Sequence, residues 1–301
     1  MSDTFAPMIV IPVYEHERAI GPLLQRLLPH GVPVLLVDDG SGERCAAVLR
    51  ELAAATPSRV TLLRLDANQG KGGAVIAGLQ EAGRRGATHA LQIDADGQHD
   101  AADVPAFLEH ARAAPAAVIN GRPVYDASVP RGRLVGRYAT HVWVWINTLS
   151  FEIADSMCGF RVYPLPSTLA LLRRRRLGRR MDFDTEVLVR LVWAGVRVRN
   201  VPTKVTYPSD GVSHFDLWRD NLRISWMHTR LFFGMLPRLP RLLARRLATR
   251  VELPRGRRDE ALDAYAQRFT DWLAGCVRRS PHDWFNFYPF WERARHARDT
   301  D

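Results

Sequence analysis

A chain of 301 residues that is 47% hydrophobic and 25% charged has ordinary globular composition and enough material for a sizeable buried core, which argues against a disordered polypeptide. The formal net charge of +10 biases it toward anionic partners, whether nucleic acid, anionic lipid headgroups or phosphorylated substrates. Cys45, Cys158 and Cys276 lie far apart with no C-x-x-C spacing, so neither a disulfide framework nor a zinc site is expected and a reducing cytoplasm fits best.

The first apolar run, Met8 to Val13, is shorter than a signal-peptide core and ends in Glu15-His16-Glu17-Arg18, so no secretory signal is expected. No stretch approaches the ~20 apolar residues of a membrane span. Up to about Gly121 short apolar runs alternate with longer amphipathic ones, the pattern of βαβ units and a mostly parallel sheet. The spacing predicts strands at Met8-Val13, Val34-Val37, Val60-Leu65, Leu91-Ile93 and Ala117-Asn120. Helices are predicted between them at Ile20-Leu28, Cys45-Ala55, Gly73-Ala82 and Asp103-Ala113. Pro123 to Gly136 reads as a basic loop, because Pro123, Pro130, Gly132 and Gly136 punctuate it. An aromatic-rich helix at Tyr138-Ser150 follows, then a strand at Phe160-Tyr163, helices at Ser167-Leu177 and Thr185-Ala194, and a strand at Val196-Val201.

Ligands of open α/β sheets sit outside the carboxyl ends of the strands, so the residues just after each apolar run carry the chemistry. Leu91-Gln92-Ile93-Asp94-Ala95-Asp96 opens a strand directly into D-x-D. Two carboxylates spaced this way can reach one hard cation, which can neutralise a departing diphosphate; the alternative is a solvated turn. Val37-Asp38-Asp39-Gly40-Ser41 offers carboxylates to a base or ribose, or else a helix N-cap by Ser41. Asn68-Gln69-Gly70-Lys71-Gly72-Gly73 feeds a helix, and its amides and lysine suit phosphate, although neither the Walker spacing nor G-x-G-x-x-G is present. His89 and Asp94 form an H-x-x-x-x-D spacing known from acyltransferases, a chance match because His89 begins a strand.

In this order and spacing the motifs resemble family 2 glycosyltransferases, especially the dolichyl- and polyprenyl-phosphate sugar transferases. The matching stretches are Ile11-Pro12-Val13-Tyr14-Glu15, Val37 to Ser41, Asn68 to Gly73, Asp94-Ala95-Asp96-Gly97-Gln98-His99 and Asp155-Ser156-Met157-Cys158-Gly159-Phe160-Arg161, over roughly residues 8 to 210. The resemblance implies a Rossmann-like α/β fold of the GT-A type, and a metal-dependent, inverting transfer with Mg²⁺ or Mn²⁺. It implies a UDP- or GDP-linked sugar donor and a lipid-linked acceptor, either polyprenyl phosphate or an aryl polyene type lipid, met peripherally at the cytoplasmic face of the plasma membrane. By position, Pro12, Tyr14, Glu15, Asp38 and Asp39 would line the base and ribose pocket with Lys71 near it. Asp94, Ala95 and Asp96 would hold the donor, and Asp94, Asp96 and Gln98 would surround the metal. Arg122, Arg133, Arg137 and Arg161 are the acceptor and phosphate arginines. Asp155 and Asp184 stand as bases for a hydroxyl acceptor; otherwise Asp155 is a structural partner of Arg161, and Asp184 a helix N-cap. A phosphate acceptor is already anionic and needs arginines more than a base.

Residues 1–212 are thus expected to form the catalytic domain, 213–250 a basic amphipathic segment and 251–301 a helical tail. A helix from Leu217 to Leu236, broken by Pro237 and Pro240, would align Arg219, Arg223 and Arg230 beside Trp218, Leu222, Trp226 and Phe233. That suits a membrane interface, or packing on the catalytic domain. Arg173 to Arg176 reads as a solvated or phosphate-facing helix end. The tail, with Asp283-Trp284-Phe285-Asn286-Phe287-Tyr288-Pro289-Phe290-Trp291, is similar to the closing segment of lipid A type acyltransferases, without the body that would carry that activity. Competing readings are a nucleotidyltransferase, which would want a Gly-rich basic loop after the first strand, and a nucleic-acid-binding protein. Trp143 and Trp145 come with no RNA-binding motif, so nucleic acid is not an expected partner.

Overall fold

The computed structural model describes residues 5–125, 131–206, 217–251 and residue 267. Seven strands form one sheet in the order β3-β2-β1-β4-β6-β5-β7. They are β1 (Pro7–Val13), β2 (Val34–Asp38), β3 (Val60–Arg64), β4 (His89–Gln92), β5 (Val118–Tyr125), β6 (Arg161–Pro164) and β7 (Val198–Val205). β1 pairs in parallel with β2 and β4, β2 with β3, and β5 with β7; β6 alone runs antiparallel, between β4 and β5. The helices are α1 (Glu17–Leu27), α2 (Glu43–Ala55), α3 (Lys71–Arg84), α4 (Val104–Ala113), α5 (Arg131–Thr148), α6 (Leu165–Arg174), α7 (Phe183–Trp193), α8 (Leu217–Met235) and α9 (Leu239–Val251).

Period-two alternation in the central strands builds a core on each face of the sheet. Val10, Leu35 and Val37 join α3 and α7 on one face, whereas Ile9, Ile11, Val34 and Leu36 join α1, α2 and α4 on the other. Gly78 matters here, because any Cβ would run into the side chains of Val10 and Val37. Its absence lets α3 lie close on β1 and β2, which fixes where the first residue of α3, Lys71, stands.

Three local expectations are corrected. Pro123 to Gly136 is not a continuous loop: β5 runs on to Tyr125 and α5 starts at Arg131. β7 supplies the neighbour that holds Pro123, Val124 and Tyr125 extended, pairing them with Thr203, Lys204 and Val205. β4 begins at His89, two residues earlier than its apolar run suggested, because Pro7 and Met8 pair with His89 and Ala90. α6 stops at Arg174, leaving Arg173 to Arg176 as an exposed helix end.

α8 is attached to the catalytic body through a buried carboxylate. Glu186 on α7 is fully buried, accepts from the Gly178 amide at 2.8 Å, and pairs with Arg190 at 2.7 Å and Arg230 of α8 at 3.4 Å. Met227, Leu231 and Met235 pack beneath α8, and His228 is buried with Asn147 at 3.5 Å and Trp143 stacked on it. The chain divides into two compact units, Met1–Leu243 and Ala244–Asp301. Among the described residues no helix is long and apolar enough to cross a membrane. The acyltransferase-like segment Asp283 to Trp291 lies outside the described residues.

Removing Glu186 strands two arginines and an amide, so Glu186→Ala should cost roughly 3 kcal/mol or more of stability, measured by urea unfolding. Burial pushes His228 down from 6.5 to about 4. The unfolded imidazole therefore takes up its proton first, and stability that is complete above pH 6.5 drains away as the pH falls toward 4. The urea midpoint of His228→Gln should fall less over that window than that of the parent chain.

Candidate active site

The parallel ends of β1, β2 and β4 converge, and each continues into a loop tied to its neighbours. Glu15, after β1, adopts a left-handed conformation (φ 55°); its amide donates to Ser41 Oγ at 3.2 Å and its carboxylate accepts from the Gly42 amide at 2.5 Å. Tyr14 beside it is half-buried, and Pro12 is buried within β1. Ser41 is thus not the N-cap of α2; that position belongs to Gly42. Asp38 is fully buried, accepts from the Ser41 amide at 2.9 Å and pairs with Arg64, so it supports the loop. Asp39 accepts from the amides of Gln69 at 2.7 Å and Gly70 at 2.8 Å, binding the β2 end to the start of α3. Burial pushes its carboxyl upward, against the pull of those two amides.

Lys71 stands between two carboxylates, with Nζ 2.8 Å from Asp94 Oδ2 and 2.9 Å from Asp184 Oδ2. Burial alone would lower its proton affinity, but the two anions outweigh that and raise it. Asp94 is likewise held below the usual carboxylate range by Lys71 despite its burial. Below the pair a chain of buried polar groups runs into the sheet. Gln92 donates to Asp184 Oδ1 at 3.3 Å, Tyr163 donates to Gln92 at 3.0 Å, and Arg161 donates to Tyr163 at 3.3 Å. Arg161 also donates to the carbonyls of Asp184, Ser156 and Cys158 at 2.7, 3.1 and 2.7 Å. This corrects two expectations. Arg161 is wholly buried and braces the loop carbonyls, so it is not a phosphate arginine, and Asp155 is not its partner. Asp184 is inside α7, whose N-cap position is Asp182, and its carboxylate serves Lys71. Gly159 is obligatory on steric grounds, since a Cβ there would overlap the Asp94 carboxylate.

Asp96 accepts from the Gln98 amide at 3.0 Å, while Ala95 is buried. Asp96 is pushed up to about 6, first by burial and then by the Asp94 charge. Asp94 Oδ1 and His99 Nδ1 are buried atoms without a hydrogen-bond partner. A cleft of about 440 Å³ opens beside them, lined by Asp96, Gln98, His99, Arg26 and Lys204 among others. Among the described residues no three His, Cys, Asp or Glu side chains form a metal cage. The donor set does suit a hard divalent cation that takes one or two carboxylates and completes its shell with diphosphate oxygens and water. The orphaned Asp94 oxygen and the raised Asp96 carboxyl are both groups that such a cation would relieve.

On the far side, Asp155 is locked. Its carboxylate receives Arg137 Nε at 2.5 Å and Nη2 at 2.7 Å, lies 3.4 Å from His141 Nε2, and accepts from the amides of Met157 and Cys158 at 2.9 Å each. Despite burial these donors hold it well below the usual carboxylate range, so its reading as a general base is corrected: it has little affinity for a proton. Arg122 is exposed on β5; Arg133 lies on α5, and its side chain is outside the described residues. His141 was missed from the sequence, as no motif spacing marks it, and Gln92 and His99, although inside the D-x-D stretch, were given no role. Only the i,i+4 step from Arg137 to His141 could have suggested that both face Asp155.

Over residues 8–179 the chain matches the family described as Glycosyl transferase family 2. It belongs to that family. The transferase is 29% identical over 222 residues to the polyprenol monophosphomannose synthase of Mycolicibacterium smegmatis, covering 68% of this chain and 79% of that one. It is 25% identical over 215 residues to the UDP-N-acetylglucosamine–dolichyl-phosphate N-acetylglucosaminyltransferase of Methanococcus voltae, covering 66% and 85%. Its fold matches glucosyl-3-phosphoglycerate synthase from Mycobacterium tuberculosis, solved with Mn²⁺ and UDP-glucose. The TM-score is 0.54 at 15% identity, over 78% of this chain and 79% of that one. The GT-A-like α/β architecture and the glycosyltransferase class are therefore those expected, in place of a nucleotidyltransferase or a non-enzyme.

A Mn²⁺ ion held by Asp96, whose carboxyl is pushed up to about 6 and must be ionised to bind it, would be bound about tenfold more weakly at about pH 5 than at about pH 7. Isothermal titration with Mn²⁺ across that range checks this, and a flat profile would contradict the assignment of Asp96 to the cation.

Proposed function

We propose that this glycosyltransferase moves a sugar, with inversion, from a UDP- or GDP-linked donor to a polyprenyl-phosphate type lipid. The cation, Mg²⁺ or Mn²⁺, would be held by Asp94 and Asp96 with Gln98 beside them, and supplies charge neutralisation for the leaving nucleoside diphosphate. The loops at the β1 and β2 ends, with Tyr14, Glu15 and Asp39, would take the base and ribose. Lys71 keeps Asp94 ionised and oriented toward that site.

The observation that carries the acceptor half is the state of Asp155. A hydroxyl nucleophile needs its proton removed during attack, and the Asp155 carboxylate, its oxygens already taken by Arg137 and the amides of Met157 and Cys158 with His141 alongside, is a weak acceptor for that proton. A phosphate monoester arrives already deprotonated. Its oxygen forms the new bond to the anomeric carbon while the bond from that carbon to the nucleoside diphosphate breaks, and no proton moves. Arg137, oriented by Asp155, and the exposed Arg122 are then the groups to meet acceptor phosphate. The two relatives, one named for polyprenol monophosphomannose and the other for dolichyl phosphate, support this choice over an aryl polyene lipid. The buried thiols of Cys45 and Cys158 agree with a cytoplasmic site, and a lipid substrate with peripheral work at the inner membrane face.

In a radiolabel transfer assay, polyprenyl phosphate should be glycosylated and the free polyprenol should not. Asp155→Asn should raise the acceptor KM by loosening Arg137 and reduce kcat by less than about tenfold, against the ~10²- to 10⁴-fold expected for loss of a base. Transfer to the free alcohol that depends on Asp155 would overturn the phosphate reading.

A further inference from the structure

α8 is divided around its axis into three faces. At about 100° per residue, Met227, Leu231 and Met235 fall on the side buried against the body. On the opposite side Trp218, Leu222, Trp226 and Phe233 form one stripe, and they are 86, 71, 62 and 64% exposed. Arg219, Arg223 and Arg230 run along one edge of that stripe. Arg223 pairs with Asp220 one turn earlier on the same helix at 2.9 Å, whereas Arg230 reaches inward to Glu186 of α7 and so helps hold α8 in this orientation.

α5 continues the surface. Tyr138, Val142 and Ile146 follow one another at four-residue steps and are 37 to 38% exposed. Trp143, 44% exposed, joins the two helices, stacking on His228 at 6.1 Å and meeting Phe232 edge-on at 6.3 Å. The other edge of α5 carries Arg137 and His141, which hold Asp155. One helix therefore presents an apolar stripe outward and the acceptor-side cluster next to it.

We propose that α5 and α8 form a seat for an anionic lipid bilayer, with Trp218, Leu222, Trp226 and Phe233 in the headgroup region and Arg219 among the lipid phosphates. Four large side chains this exposed in one row exceed the scattered apolar exposure of an ordinary surface. Tryptophan beside arginine is the composition that suits a wet, anionic interface. The net charge of +10 complements such a surface. The inference rests on the lipid-linked acceptor for its purpose, since the seat would bring a headgroup to the Arg137 edge of α5.

The test uses the full chain and vesicles of equimolar phosphatidylcholine and phosphatidylglycerol, with pure phosphatidylcholine as the second arm. The parent chain should float with the anionic vesicles, more weakly as salt rises, and Leu222→Ser, Trp226→Ser, Phe233→Ser together should weaken binding on the order of 100-fold. Nucleotide-induced thermal stabilisation should be unchanged in that variant, showing that it folds. Unaltered flotation of the folded variant would overturn the seat. So would a dimer that dissociates on the same substitutions, or a parent chain whose Trp226 is shielded from lipid quenchers by residues 252–301. Vesicle binding without transfer to polyprenyl phosphate would count against the acceptor reading and leave the seat standing.

Discussion

The Lys71 ammonium between Asp94 and Asp184 is the interaction on which the active end of this transferase depends. Without it two buried carboxylates would face each other, and one would take up a proton rather than remain a ligand. The position of Lys71 is set from three directions: Gly78 brings α3 onto the sheet, Asp39 holds the amides of Gln69 and Gly70 just before it, and Asp184 comes from α7. Behind Asp184, Gln92, Tyr163 and Arg161 tie strands β4 and β6 to the same cluster. Gln92 and Tyr163 are both paired within that chain and Arg161 is held through its two terminal nitrogens, as a low-dielectric interior favours.

The two halves of the site are prepared differently. Around the D-x-D turn, polar atoms stay unsatisfied: Asp94 Oδ1, His99 Nδ1 and the raised carboxyl of Asp96. The carboxylates among these are groups that a hard cation would satisfy. Around Asp155 nearly the reverse holds. Four donors from Arg137, Met157 and Cys158 fill the carboxylate, with His141 alongside. A carboxylate so satisfied orients an arginine and is a poor collector of protons.

α8 joins the catalytic body to its surroundings through opposite faces of one helix. The alternatives of packing and exposure, open at the level of sequence, describe its two sides. Met227, Leu231 and Met235 are buried, while Trp218, Leu222, Trp226 and Phe233 face outward. The buried Glu186 makes this rotation of the helix costly to change, because turning α8 would strip Arg230 from it.

The strands and helices of residues 8–205 were legible because apolar periodicity reports which face is buried, and strand ends in an α/β sheet mark the ligand side regardless of detail. The D-x-D turn, the acidic end of β2 and the Gly-rich start of α3 were found that way. Sequence could not tell a carboxylate that meets a ligand from one that meets a neighbouring loop, because that depends on partners far away along the chain. Asp38 with Arg64, Lys71 with Asp184 and Gln92 with Asp184 are of this kind. The same holds for Arg161, whose charge suggested phosphate until its burial among loop carbonyls was seen, and for Pro123 to Tyr125, extended only because β7 lies alongside. Local pattern thus determined the fold class and the location of the site. Which charged groups were left open to chemistry was decided by tertiary pairing, because burial makes each unpaired charge so costly that partners are assigned across the whole fold.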